Sequence, residues 1–198
     1  MVDDSQAKER RDEIWIHKFD EEAAQRFREH AIRLVREAPS SSHPIVVYID
    51  SYGGYVDSLA MMIETMDEIP NPIYTVCLGK AMSCGAILLS HGDQRFCGQH
   101  SRVMVHEVSS LTGGDVHDML NDTKEAQRLN RYFMGLLAKN CNIKGGYKAL
   151  RQMIKERDGR EWWMDAQEAK KFGIIDHVGT PLVEAAIVYI TSTHKRQV

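Results

Sequence analysis

No stretch of this chain is apolar for long enough to cross a bilayer. The longest such runs, near residues 81–89 and 185–190, fall far short of the roughly 20 residues that a spanning helix needs. Cysteine is scarce as well. The four present, Cys77, Cys84, Cys97 and Cys141, form no Cys-x-x-Cys pair, which argues against a zinc knuckle or a disulfide framework and for free buried thiols. No dense basic run exists and the net charge is −3, so nucleic acid is not the expected partner. The first twelve residues are charged and contain no apolar signal region, which makes the cytoplasm the expected compartment. His91 and Asp93 have no third ligand at a sensible spacing, so they read as a surface turn, and neither metal nor cofactor is expected.

What is present is the composition of an ordinary folded protein, 43% hydrophobic and 27% charged over 198 residues. That length fits one domain over 1–198, opening with a short charged segment, 1–12. Ile14-Trp15-Ile16 reads as a short strand. Asp20 then caps a helix with an apolar stripe of Phe27, Ala31, Leu34 and Val35. The β-branched run over 45–49 predicts a strand buried on both faces, and Val56, Leu59, Ile63 and Met66 mark a helix broken by Pro70-Asn71-Pro72. A strand over 73–77 completes a βαβ crossover, which puts parallel strand ends on one rim. A helix over 83–90, a strand over 102–106 and a long helix over 115–138 follow. Lys144-Gly145-Gly146-Tyr147 predicts a loop, Asp165 with Glu168 a capped short helix, and 174–178 a closing strand. The fold class is α/β.

Three strand ends carry the chemistry. Gly54 lies in the turn Ser51-Tyr52-Gly53-Gly54, Ser83 in Ala81-Met82-Ser83-Cys84-Gly85-Ala86, and His106 closes Val103-Met104-Val105-His106. A serine nucleophile needs a base, an orienting carboxylate and donors for a tetrahedral oxyanion. Ser83 and His106 can supply the first two, and the N–H groups of Gly54 and Cys84 the oxyanion hole. Glu161 and Asp158 are both candidates for the carboxylate.

Taken singly, each feature has a plainer meaning. A serine among small residues permits close helix packing, a histidine at a strand end is commonly a hydrogen-bonded core residue, and Gly-Gly is a tight turn. Ala81 also occupies the first glycine position of a Gly-x-Ser-x-Gly elbow. Lys80 is an alternative base, though three residues back on a turn is poor geometry for the task.

The ordered set of motifs from about Ile45 to Val178 resembles the proteolytic subunit family of the Clp protease, ClpP. Ser51-Tyr52-Gly53-Gly54 is similar to that family's Ser-Pro-Gly-Gly turn, with Tyr52 in place of proline. Residues 76–86 resemble its Cys-x-Gly-x-Ala-x-Ser-x-Gly-Ala segment, and 166–176 its closing helix and strand. The resemblance implies a crotonase-like α/β fold of repeated ββα units with a long handle helix, and a serine endopeptidase that cuts unfolded polypeptides to short peptides. It implies Ser83 as nucleophile, His106 as base and Gly54 and Cys84 as oxyanion donors. Counting back from Phe172-Gly173, the triad carboxylate falls on Glu161, leaving Asp158 in reserve.

It further implies heptameric rings stacked to a tetradecamer, and an AAA+ ATPase unfoldase as partner, although the axial-loop segment by which family members contact that ATPase is not found here. In this respect the chain is similar to divergent, phage-like or mobile-element copies. Two other readings compete: a non-catalytic ring subunit supporting an active partner, and an acyl-CoA enzyme of the same fold.

Overall fold

The computed structural model describes residues 13–108, 115–157, 160–183 and 189–190. Strand β1 (Glu13–Ile16) leads into helix α1 (Glu21–Glu37), whose first turn is capped by the Asp20 carboxylate accepting from the Ala23 N–H at 2.8 Å. Strand β2 (Ile45–Ser51), helix α2 (Val56–Glu68) and strand β3 (Ile73–Met82) form the crossover, and helix α3 (Cys84–Leu89) starts immediately after Ser83. Strands β4 (Gln94–Cys97) and β5 (Arg102–His106) precede the long helix α4 (Val116–Asn140) and helix α5 (Gly146–Arg157). Strand β6 (Glu161–Asp165), helix α6 (Ala166–Lys171) and strand β7 (His177–Val178) follow, with a separate two-stranded pair of β8 (Leu182–Val183) and β9 (Tyr189–Ile190).

The main sheet runs β1-β2-β3-β4-β7, all parallel. Both its faces are covered along β2, as the continuous apolar run requires. Val47 and Ile49 face the large helix-covered core, while Val46 and Tyr48 join Val76 and Phe96 on the opposite side. Among the described residues, no helix is long and apolar enough to cross a membrane.

Strand β3 does not stop at Cys77 but continues to Met82, and it changes neighbours on the way. Residues 74–77 pair with β4, whereas Lys80, Ala81 and Met82 pair with Arg102, Val103 and Met104 of β5. The switch coincides with a register break in β2 between Ile49 and Ser51. Gly79 permits the bend. Its φ is +103°, and a Cβ there would lie 2.8 Å from Asp50 Oδ1. The Ser101 hydroxyl accepts the Gly79 N–H at 2.8 Å, and Lys80 Nζ pairs with Asp50 at 2.6 Å, so both sides of the bend are fastened. The periodic pattern that reveals β3 carries no sign of this bend, because its cause lies on a neighbouring strand.

Three other boundaries also differ from the sequence expectation. Helix α5 begins at Gly146 and takes in Tyr147, so only the first half of the 144–147 loop remains a loop. The closing strand is confined to His177–Val178; residues 174–175 are buried apolar chain without ladder pairing. Glu161 lies on a strand that the sequence analysis did not predict, β6, antiparallel to β5.

Arg95 ties the chain between Gly173 and Asp176 to the sheet. Its Nε and Nη2 bond the two carboxylate oxygens of Asp176 at 2.9 and 2.6 Å, and its Nη1 donates to the Gly173 and Asn140 carbonyls at 2.9 and 3.1 Å. Burial alone raises the Asp176 carboxyl, but the Arg95 hydrogen bonds and charge outweigh it and hold the group below its ordinary value. A depressed carboxylate contributes stability above its unfolded value of 3.8 and loses it as pH falls through the lower folded value. Asp176→Asn is expected to cost about 2 kcal/mol in urea unfolding at pH 7, because the arginine keeps its burial and loses its charged partner. The difference from wild type should shrink in acid below the carboxylate range.

Candidate active site

Ser83 sits at the junction of β3 and α3 with φ +55° and ψ −118°, a conformation that a residue with a Cβ adopts only under constraint. The constraint is visible. Its N–H donates to the Met104 carbonyl of β5 at 2.9 Å, and its own carbonyl accepts from Ala86 and Ile87 in the first turn of α3. The strand-to-helix turn is therefore locked from both ends.

The glycine turn abuts this elbow. A Cβ on Gly53 would come within 2.8 Å of the Ser83 Cβ, 3.0 Å of the Met82 carbonyl and 3.3 Å of the Cys84 nitrogen, so only glycine lets the two segments touch. Gly54 is needed for a different contact, since a Cβ there would lie 2.3 Å from the Phe19 carbonyl. That carbonyl accepts the Tyr55 N–H at 2.8 Å, while Ser51 Oγ accepts the Gly53 N–H at 3.1 Å. Outside the helices and strand ladders, neither the Gly54 nor the Cys84 N–H donates to a backbone carbonyl among the described residues. Gly54 lies at the surface beside the strained serine, while Cys84 is buried beneath it.

Cys84 contributes its thiol too, which donates to the Gly54 carbonyl at 3.3 Å. Burial pushes that thiol up to about 11, so it stays protonated and keeps donating. It thus fastens the glycine turn to α3.

His106 stands at the end of β5, next to β3. Burial lowers its imidazole below the usual 6.5, opposed by the negative charge of Glu161. Glu161 is the direct cross-strand partner of His106 in the β5–β6 ladder, a relation that puts both side chains on one face with Cβ atoms about 5 Å apart. The alternation of β6 sets that orientation: Trp162 and Met164 are buried, while Glu161 and Trp163 face outward. Trp162 is gripped by the Arg157 guanidinium 4.2 Å from its ring and by an indole hydrogen bond to Glu168 at 3.2 Å. The Trp163 indole donates to Glu161 at 2.9 Å, holding the carboxylate. A cleft of about 380 Å³ is lined by His106, Glu107 and Glu161 with Arg151, Lys155 and Arg160.

All five residues expected from the sequence therefore lie at the C-terminal ends of β2, β3 and β5 or at the start of β6. No hydrogen bond directly joins Ser83 to His106 or His106 to Glu161 among the described contacts. Asp158, the reserve carboxylate, lies outside the described residues. Lys80 is not poised as a base, since its hydrogen bond to Asp50 raises it and the Tyr52 ring lies 4.4 Å from its ammonium. His91 and Asp93 tie their turn to neighbouring elements: His91 pairs with Asp67 of α2 at 2.8 Å and Asp93 accepts the Ile73 N–H at the start of β3 at 2.8 Å. Sequence reasoning missed Gly53 as the close-approach glycine; the paired glycines were the available signal, but only the backbone path tells which one meets the serine.

A family model described as Clp protease matches residues 6–181. Fold and site define a mixed α/β protein whose candidate machinery is built on parallel strand ends. The chain belongs to the Clp protease family.

The strained elbow predicts a separable effect. Ser83→Gly is expected to raise unfolding stability by about 1 kcal/mol in urea titration by relieving the positive φ, while Ser83→Ala leaves the strain in place.

Proposed function

We propose that this chain is a serine-type endopeptidase with a crotonase-like fold of repeated ββα units, cleaving unfolded polypeptides to short peptides through an acyl-enzyme on Ser83. The observation that carries this reading is the constrained Ser83 elbow with the glycine turn packed backbone to backbone against it, where the Gly54 and Cys84 N–H groups donate to no backbone carbonyl outside the helices and ladders among the described residues. His106 takes the Ser83 proton as the hydroxyl oxygen attacks the scissile carbonyl, and the carbonyl oxygen becomes an oxyanion received by the Gly54 and Cys84 N–H groups. Collapse expels the amine, which leaves with the proton from His106. Water then attacks the ester, His106 accepts its proton, and Ser83 is released with a new carboxylate on the peptide. Glu161 orients the imidazole and stabilises the imidazolium that forms at each step.

The reading extends to assembly. In α4, the segment before Asn130 is largely exposed and carries Val116, Met119 and Leu120 at 74, 43 and 52% exposure, apolar surface suited to the handle contact between stacked heptamers. Enclosing the site in a chamber would keep folded proteins away from it. An AAA+ unfoldase as partner belongs to the same proposal.

One observation favours a non-catalytic ring subunit, the lack of a direct hydrogen bond from Ser83 to His106. Catalytic hydrogen bonds in unliganded sites are often long and tighten only with substrate, so the observation weighs less than the elbow.

A fluorophosphonate should modify Ser83 alone, as read by peptide mass spectrometry, and Ser83→Ala should abolish both labelling and peptide hydrolysis. An unlabelled serine in a folded oligomer would leave the subunit reading standing. The pH profile adds a signed test. His106 must be neutral to act as base, so activity should fall in acid with a midpoint below 6.5. Glu161→Gln removes the charge that raises the imidazole, so the residual activity should show that midpoint displaced to still lower pH.

A further inference from the structure

One buried amide holds the chain that leaves His106. Asn130, on the inner side of α4, is 9% exposed and sits beside Phe133, Met134 and Leu137, all fully buried. Its Oδ1 accepts the Val108 N–H at 3.1 Å. Its Nδ2 donates to the Glu107 carboxylate and to the Tyr147 hydroxyl, both at 3.2 Å. Arg151 of α5 reaches the same Glu107 oxygen with its Nε at 2.6 Å. The amide orientation is not interchangeable, since a backbone N–H can only donate and a carboxylate can only accept.

A polar side chain in this position costs desolvation unless its donors and acceptor are all used, and here they are. The β5 ladder fixes His106 through its pairing with Glu161, but pairing ends there, and the direction of the chain beyond depends on Glu107 and Val108.

We infer that Asn130 is a positioning residue for His106: by gripping Glu107 and Val108 it fixes the end of β5 and with it the placement of the imidazole. The catalytic consequence rests on the proposed peptidase reading, whereas the clamp is a matter of geometry alone. The charged groups facing His106 across the cleft are Glu161 and Arg160 from the β6 side, Arg151 and Lys155 from α5, and Glu107 beside it. Any loosening of the segment therefore changes both the hydration of the ring and its distance from these charges.

The test compares Asn130→Ala, Asn130→Asp and a double variant that combines Asn130→Asp with Glu107→Gln, all in the full-length assembled protein. His106 is followed by carbethoxylation with diethyl pyrocarbonate as a function of pH, resolved by peptide mass spectrometry, alongside peptidase kinetics. Asn130→Ala should move the His106 midpoint upward as water reaches the ring, and lower kcat about tenfold with KM changed by less than about twofold. Asn130→Asp should be impaired because two carboxylates then face each other. The double variant should recover, since the amide introduced at position 107 can donate to the carboxylate introduced at position 130, which still accepts the Val108 N–H. A wild-type His106 midpoint and kcat in Asn130→Ala, or equal impairment of Asn130→Asp and the double variant, would overturn the clamp. Should wild-type Ser83 resist fluorophosphonate, the peptidase reading falls separately, and the His106 midpoint alone decides the clamp.

Discussion

The close approach of the glycine turn to the Ser83 elbow is the constraint on which the rest of the site depends. Ser83 at φ +55° is unfavourable by roughly 1–3 kcal/mol in isolation, and it persists because β5 takes its N–H and α3 takes its carbonyl. Gly53 then fills the space beside it with backbone alone. Everything upstream serves this arrangement. The register break at Asp50, the left-handed Gly79 and the Lys80–Asp50 pair turn the end of β3 away from β4 and onto β5. Without that turn Ser83 and His106 would end on strands that do not touch.

Electrostatics around the histidine follow from the same layout. Burial at the end of β5 disfavours the imidazolium, and the cross-strand carboxylate of Glu161 partly restores it. A base needs both effects: enough burial to stay neutral at working pH, and enough negative charge to accept a proton during the reaction. The protonated Cys84 thiol plays a quieter part, holding the Gly54 carbonyl so that the turn does not drift from α3.

Much of the architecture was legible in the sequence because burial on both faces leaves a continuous apolar signature. The run over 45–49 shows it, while the helix broken by Pro70-Asn71-Pro72 was legible from the spacing of its one apolar stripe. The Asp20 and Asp165 caps were readable for a similar reason, a carboxylate placed just before a periodic stretch. The bend in β3 was not, since its cause is a contact with Asp50 on the neighbouring strand. Strand β6 was hidden by its shortness and its tandem tryptophans, whose alternate burial appears only once Arg157 and Glu168 claim Trp162 and leave Trp163 outside. Asn130 was invisible for the opposite reason. One polar residue among many in a long amphipathic helix looks like surface, and only the fold shows it facing inward to Glu107 and Val108.

The most direct measurement on the central claim is a crystal structure of the protein reacted with diisopropyl fluorophosphate. The account predicts phosphorus bonded to Ser83 Oγ, with one phosphoryl oxygen at about 2.7–3.1 Å from the N–H groups of both Gly54 and Cys84. A phosphoryl oxygen turned away from those two donors, or an adduct on any residue other than Ser83, would contradict it.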